Sequence, residues 1–355
     1  MNDSPKPAHD PQAHLRFWPE GVPRQIEVPD ASLWTGLQAR ADQTPHEVGL
    51  DFLGRRTTWQ QLHQSALHLA GGLQALGVGK GDRVILFMQN CPQFIVAFHA
   101  VIRLGAVVVP VNPMNKADEL GHYILDASAR VAIASSDIAP ELARASQTAQ
   151  TAHTLQHLIV FDLVDALPED HARQALHWPA LWQNWLPVRH GLPQAAGLQV
   201  HAWQGVLDRQ LQPAAVAVHG DDLALLPYTS GTTGAAKGCR HTHATLLHNV
   251  LAAAPWLDMR AGDVTLIVVP MFHITGLVMG MLASVRHGCR LVLLPRWDRQ
   301  QAAQAIQKHR VTHWPNIPTM VIDLLADPDL PSFDLSSLRY IGGGGAAMPD
   351  AVAAE

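Results

Sequence analysis

Cysteine is scarce in this chain of 355 residues, which contains only Cys91, Cys239 and Cys289. Their number is odd and no CxxC spacing occurs, so the sequence excludes a disulfide framework and a cysteine-based zinc site. Basic clusters are also missing, and the net charge of −5 with a pI of about 6.5 excludes an electrostatic nucleic-acid surface. These absences are typical of a protein from a reducing compartment that does not bind nucleic acid.

Long apolar runs are absent as well. The longest, such as the stretch from Gly276 to Val285, are too short to cross a bilayer, so we expect no transmembrane segment. The first residues, Met1 to Pro7, lack the basic-then-apolar order of a signal peptide. We therefore expect a cytoplasmic protein, and peripheral attachment to a membrane stays open.

Histidine, in contrast, is abundant, with 21 copies. The histidines are dispersed, and no HExxH motif or matching carboxylate cluster accompanies them. The sequence therefore predicts no metal-ligating residues, and most histidines are expected at the surface.

Apolar strands and amphipathic helices alternate along most of the chain, which predicts an α/β fold with two doubly wound, mainly parallel sheets and flanking helices. We expect a poorly ordered lead over residues 1–30 and a first α/β subdomain over 31–162. A connecting segment of short helices would follow over 163–218. The second α/β subdomain, over 219–355, carries the main motif and is expected to be incomplete at its C-terminus.

That motif follows the apolar run Leu225-Leu226, where the chain changes to glycines and hydroxyls and then to a lysine. Glycines allow backbone N–H groups to approach an anion, hydroxyls donate hydrogen bonds and lysine supplies charge, so the pattern predicts a phosphate-binding loop. It is not a Walker A motif, because Gly238 follows the lysine where that motif needs Ser or Thr. The candidate phosphate-binding residues are Thr229, Ser230, Gly231, Thr232, Thr233, Gly234 and Lys237.

Two further segments are predicted to follow strands of the same sheet. His273 lies after the strand predicted over 264–269, and a glycine run from Gly342 to Gly345 follows the strand predicted over 338–341. Ligands of doubly wound sheets bind at the carboxyl ends of strands, so these segments could share one crevice with the phosphate loop. Residues alone leave simpler readings open, namely a helix-capping histidine and a flexible glycine tail.

Taken together, these motifs resemble the adenylate-forming superfamily of acyl-CoA and aryl-CoA synthetases, adenylation domains and beetle luciferase. The resemblance covers the phosphate loop and extends from about residue 30 to the end. The other matching segments, in the family's order, are Asn90-Cys91-Pro92 with Leu104 to Pro113, Pro270 to Gly276, Val311-Thr312 with Ile317-Pro318-Thr319, and Gly342 to Pro349.

The resemblance implies an AMP-forming acid–CoA ligase that uses ATP, Mg²⁺, coenzyme A and a small carboxylic acid. It implies that the phosphate loop holds pyrophosphate and that His273 lies beside the acid's carboxylate. It further implies a border to adenine and the acyl chain formed by Gly343, Gly344, Gly345, Ala346 and Thr319. A fatty acid is the first expectation for the substrate, and an aryl acid is the alternative.

The sequence departs from the family pattern in two ways. Ala236 replaces the usual proline of the phosphate loop. The family's aromatic-Gly-x-Thr-Glu segment, its ribose-binding aspartate and its adenylation lysine are not found, so we expect the N-terminal portion of a ligase that is inactive alone and lacks a C-terminal domain. A non-catalytic nucleotide- or acyl-binding module, or one subunit of a split enzyme, is the alternative. A kinase-like phosphotransferase is disfavoured, and a homodimer stays open.

Overall fold

The computed structural model describes residues 12–148, 150–151, 153–174, 177–229 and 235–354. The phosphate-loop residues Ser230 to Gly234 lie outside the described residues, as do residues 1–11 of the predicted lead. Within the lead, residues 13–17 form a 3₁₀ helix, and Trp18 contacts Trp256 edge to face with ring centroids 5.0 Å apart.

Strands and helices alternate as the sequence predicts. The strands are β1 Val48–Phe52, β2 Arg55–Thr58, β3 Arg83–Phe87, β4 Val107–Val111, β5 Val131–Ser135, β6 His157–Phe161, β7 Gln199–Ala202, β8 Leu223–Leu225, β9 Tyr228–Thr229, β10 Lys237–Gly238, β11 His241–Thr242, β12 Val264–Ile267, β13 Arg290–Leu293, β14 His313–Asn316 and β15 Tyr340–Gly343. The helices are α1 Trp34–Gln43, α2 Trp59–Ala75, α3 Pro92–Arg103, α4 Ala117–Asp126, α5 Ala139–Ala145, α6 His171–Gln174, α7 Ala180–Gln183, α8 Trp203–Leu207, α9 His243–Leu257, α10 Ala283–His287, α11 Arg299–His309, α12 Pro318–Leu325 and α13 Asp350–Ala353.

Local sequence signals determine several of these boundaries. Helix α2 begins at a capping box in which the Thr58 hydroxyl accepts from the Gln61 N–H and the Gln61 side chain accepts from the Thr58 N–H. It ends before Gly77, whose φ of 84° favours glycine. Asp298 is the N-cap of α11, where its carboxylate accepts a hydrogen bond from the Gln301 N–H.

The first sheet has the strand order β11-β8-β4-β3-β5-β6-β7, and all its pairs are parallel except β11 with β8. Strands β4 and β5 are buried along their whole length, as expected for strands covered by helices on both faces. Edge strand β7 lies within the predicted connecting segment and was not predicted, because its residues Gln199–Ala202 are polar on alternate positions and too few to show a period.

The second sheet has the order β15-β14-β12-β13-β1-β2 and is parallel apart from the β1–β2 hairpin. The fold class predicted from the sequence is therefore confirmed. The division of the chain into subdomains over 31–162 and 219–355 stays a prediction. Each of the two sheets contains strands from both of these ranges. Strand β1 pairs with β13, and β8 pairs with β4, so strands that are distant in the sequence are neighbours in each sheet.

Three boundaries differ from the sequence prediction. The sequence predicts a strand over residues 311–314, but strand β14 covers His313–Asn316 and continues through Pro315, because Pro315 and Asn316 pair with β15. Strand β15 continues through Gly342 and Gly343, which were predicted to lie in a loop, because both pair with β14. The helix predicted over residues 275–286 is a π-helix, Thr275–Leu282, followed by α10.

Candidate active site

A cavity of about 710 Å³ opens between the carboxyl end of β4, helix α4, the β9–β10 hairpin and the segment that follows β12. It therefore lies where doubly wound sheets bind ligands. Its lining residues are Pro110, Val111, Asn112, Asn115, Glu119, His122, Tyr123, Tyr228, Ala235, Ala236, Phe272 and His273.

The segment that carries His273 is fixed from the first sheet by Asn90. This buried side chain donates to the carbonyls of Val268 and Val269 at 3.4 and 3.2 Å and accepts from the Met271 N–H at 2.8 Å. Gly276 packs closely against the same turn, and only glycine fits there, since a Cβ at this position would lie 2.4 Å from the Pro270 carbonyl oxygen. The Asn90 hydrogen bonds and the close packing of Gly276 together hold the backbone that presents His273.

The His273 ring is exposed to the cavity and packs against Phe272, with ring centroids 4.6 Å apart. The surrounding protein still removes part of its hydration, and this desolvation lowers the pKa of His273 below its usual value. The lowered pKa favours the neutral ring, which offers a hydrogen-bond donor and an acceptor rather than a positive charge.

The described ends of the phosphate loop form a short hairpin. Lys237 pairs with Thr229 and Gly238 with Tyr228, and the Thr229 hydroxyl lies 3.5 Å from the Lys237 carbonyl oxygen. The Lys237 side chain is exposed. Ala235 and Ala236 line the cavity, but Thr229 and Lys237 are not among its lining residues. The structure thus brings the end of the loop, rather than the lysine, next to His273.

Helix α4 supplies polar cavity residues that the sequence analysis missed. The His122 Nε2–H donates to the Ala236 carbonyl at 2.7 Å, and Asn115 donates to the Tyr123 hydroxyl at 3.1 Å. Tyr228 donates to the Asp126 carboxylate at 2.6 Å, and burial together with that carboxylate raises the Tyr228 pKa above its usual value. A usable signal was present, because Glu119, His122 and Tyr123 have the spacing of one helix face soon after a strand, and Asn115 lies just before that helix.

The predicted adenine and acyl residues lie at the ends of β14 and β15, next to β12 in the sheet order. Gly343 pairs with Asn316, and a Cβ on Gly343 would lie 2.2 Å from the Asn316 carbonyl oxygen. Thr319, in the first turn of α12, and the stretch from Gly345 to Ala346 are exposed. None of these residues, nor Gly344, lines the cavity. The predicted residues lie at the end of β15 and just after it, and in the first turn of α12.

Within the part of the chain that the structure describes, no three His, Cys, Asp or Glu side chains come close enough to hold a metal ion. The same residues include no helix that is both long and apolar enough to cross a membrane.

Comparison with known proteins matches the AMP-binding enzyme family to residues 37–355. The chain is 30% identical over 340 residues to a long-chain-fatty-acid–CoA ligase of Bacillus subtilis, covering 94% of this chain and 59% of that protein. It is 29% identical over 299 residues to 4-coumarate–CoA ligase 3 of Arabidopsis thaliana, covering 83% of this chain and 47% of that protein. The chain thus spans about half the length of these relatives.

Solved structures agree. An inhibitor-bound N-terminal domain of FACL13 from Mycobacterium tuberculosis superposes with a TM-score of 0.73 at 28% identity, covering 90% of this chain and 71% of that chain. The anthranilate–CoA ligase AuaEII in complex with anthranoyl-AMP gives a TM-score of 0.75 at 24% identity, covering 92% and 57%, and supports the fold alone. The resemblance found in the sequence is confirmed.

Proposed function

The chain belongs to the AMP-binding enzyme family, and on this premise we propose that it is the nucleotide- and acid-binding portion of an AMP-forming acid–CoA ligase. The observation that carries the proposal is the shared cavity, which is lined both by the end of the phosphate-loop hairpin and by His273, in the segment that follows β12 of the second sheet. A site for two reactants needs this kind of juxtaposition, because the acid and the triphosphate must meet in one place.

In the proposed reaction a carboxylate oxygen attacks the α-phosphorus of ATP, which enters as its Mg²⁺ complex. The bond between the α-phosphorus and the bridging oxygen breaks, and pyrophosphate leaves with that electron pair. The sulfur of coenzyme A then attacks the acyl carbon, and AMP leaves as the thioester forms. The first step is favoured when hydrogen-bond donors neutralise the departing pyrophosphate.

Each predicted residue has a place in this proposal. Thr229, Lys237 and the segment 230–234 would hold the β- and γ-phosphates. His273, whose lowered pKa favours the neutral ring, would hydrogen-bond the acid's carboxylate without trapping it in an ion pair, so the oxygen stays nucleophilic. Gly343 to Ala346 and Thr319 would border adenine and the acyl chain.

We propose a fatty acid as the substrate and an aryl acid as the alternative. The small residues Gly276, Gly280 and Ala283 of the helix after His273 are buried and do not line the cavity, so the support for this choice comes from the relatives. The relatives include ligases named for long-chain fatty acids and others named for 4-coumarate, so both classes belong in the test.

Calorimetry tests the proposal directly. We expect the chain to bind Mg²⁺–ATP and a non-hydrolysable acyl-adenylate analogue, with the fatty-acyl analogue bound more tightly than the aryl one. His273→Ala should weaken the acyl-adenylate analogue more than ATP, whereas His248→Ala, on an exposed face of α9, should change neither. A well-folded sample that binds neither ligand would overturn the proposal.

ATP–pyrophosphate exchange with a panel of carboxylic acids tests the chemistry itself. We expect little exchange from this chain alone, because it spans only about half the length of the curated ligases that it matches. Robust exchange would contradict the expectation that the chain is inactive alone, and it would support the ligase assignment at the same time.

A further inference from the structure

The geometry points to His122 as a positioning residue that fixes the phosphate-loop hairpin through the carbonyl of Ala236, with helix α4 as the anchor for both strands of that hairpin. This inference rests on the proposed function, because it assigns a task to the surroundings of the proposed pyrophosphate site. It adds a residue that no sequence motif identified.

The hairpin is short and needs support. Its described ladder consists of two residue pairs, Lys237 with Thr229 and Gly238 with Tyr228. A ladder of this length is marginal by itself, and Ala236, directly before Lys237, is not part of it. Ala236 directly precedes Lys237, so a bond to its carbonyl determines how Lys237 and the end of the loop are oriented.

His122 supplies that bond. A carbonyl oxygen only accepts, so the 2.7 Å contact requires that His122 Nε2 carries the hydrogen. The ring is half-buried and lies nearly perpendicular to the Tyr228 ring, with ring centroids 6.1 Å apart. The ring position is therefore set by packing as well as by the hydrogen bond.

The other strand of the hairpin is held by the same helix. Tyr228 donates to Asp126 at 2.6 Å, and Tyr123 packs edge to face on Tyr228 with ring centroids 4.6 Å apart. His122 and Asp126 are four residues apart, so they project from one face of α4. Helix α4 thus contacts β9 through Tyr228 and the residue directly before β10 through Ala236, so its side chains help to set the position of the two ends of the loop.

Variants that differ in a single hydrogen bond test this role. His122→Phe keeps a ring but cannot donate to Ala236, whereas His122→Gln can place an amide N–H near the position of Nε2. We expect His122→Phe to weaken Mg²⁺–ATP and Mg²⁺–pyrophosphate on the order of five- to tenfold by calorimetry. We expect His122→Gln to stay within about twofold of the wild type. His248→Phe is the matched control, because His248 is exposed on α9.

Adenosine separates positioning from a general loss of structure. Because it carries no phosphate, its affinity should be unchanged in His122→Phe, while a damaged fold would weaken all three ligands. Tyr228→Phe, which removes the bond to Asp126, should weaken ATP and pyrophosphate in the same direction and serves if His122→Phe does not fold.

The outcomes distinguish the two proposals. If the wild type binds ATP and His122→Phe binds it equally well, the positioning role is wrong and the proposed function stands. If His122→Gln is as weak as His122→Phe, the bond to Ala236 is not the cause and the role is also wrong. If the folded wild type binds no ATP, the proposed function fails and this inference fails with it.

Discussion

The amide side chain of Asn90 and the backbone N–H of Met271 are joined by a 2.8 Å hydrogen bond although they lie 181 positions apart. Asn90 follows β3 of the first sheet, and Met271 precedes the Phe272-His273 pair that follows β12 of the second sheet. Both residues are buried. This bond, with the two that Asn90 donates to Val268 and Val269, ties the sheets together at the point where His273 enters the cavity.

Replacing Asn90 with Ala should therefore affect both stability and the site. The change leaves the Met271 N–H and two carbonyl groups without their side-chain partner in a buried place, which costs about 1–3 kcal/mol of unfolding free energy. Urea unfolding measures that loss. Asn249→Ala, an exposed amide on α9, is the matched control and should stay within about 0.5 kcal/mol of the wild type. Equal losses in both variants would contradict the assigned role of Asn90.

Two glycines of the π-helix should respond differently to alanine. At Gly276 a Cβ would lie 2.4 Å from a backbone carbonyl oxygen, so Gly276→Ala must displace the His273 turn and should destabilise the protein by about 1–3 kcal/mol. At Gly280 the nearest atom would be 3.6 Å away, on Ile267, so Gly280→Ala should be neutral or stabilise by up to about 1 kcal/mol. Thermal unfolding of the two variants checks this order. A lower unfolding midpoint for Gly280→Ala than for Gly276→Ala would contradict it.

The glycine run offers a second matched pair. Gly343→Ala would bring its Cβ within 2.2 Å of the Asn316 carbonyl oxygen and should destabilise the β14–β15 pairing by about 1–3 kcal/mol. A Cβ on Gly344 would meet no atom within 4 Å, so Gly344→Ala should leave the unfolding free energy unchanged. If this run borders adenine or the acyl group as proposed, Gly344→Ala will weaken the acyl-adenylate analogue in calorimetry. Unchanged affinity would remove Gly344 from the proposed site.

Two buried histidines predict that stability falls in mild acid. Burial lowers the pKa of His99 and of His243 to about 4, from a usual value of 6.5. Below pH 6.5 the unfolded chain takes up protons that the folded chain refuses, so stability present at pH 7 is lost as the pH falls towards 4. The loss for each histidine is roughly 3 kcal/mol, from about 1.4 kcal/mol for each pKa unit.

Urea unfolding between pH 7 and pH 4.5 measures that dependence. His99→Asn removes one of the two groups while its amide can still donate to the Ile95 carbonyl, which His99 Nδ1 contacts at 2.8 Å. The variant should therefore show a shallower fall in stability than the wild type. His248→Asn, with an exposed side chain, should reproduce the wild-type slope. Identical slopes for all three proteins would contradict the assignment.

Much of the fold was predictable because local signals agree with the tertiary structure. Thr58 and Asp298 are residue types that favour the helix N-cap, and both cap helices; the apolar residues before Asn112 form a buried parallel strand. The prediction was least accurate where pairing between distant strands overrides local preference. Pro315 and Gly343 both lie in strands, because each is held by its neighbour across the ladder.

By itself, the sequence determined the fold class, the family and the order of the motifs, because these depend on periodicity, caps and residue types that are local in the chain. It also identified His273 and the phosphate loop as candidate site residues. Only the tertiary structure decided which of them meet, because a cavity is formed by groups that are distant in sequence. It placed His122 of α4 against Ala236 of the loop and Asn90 against Met271, and neither contact has a local signal, since each joins separate elements across the fold.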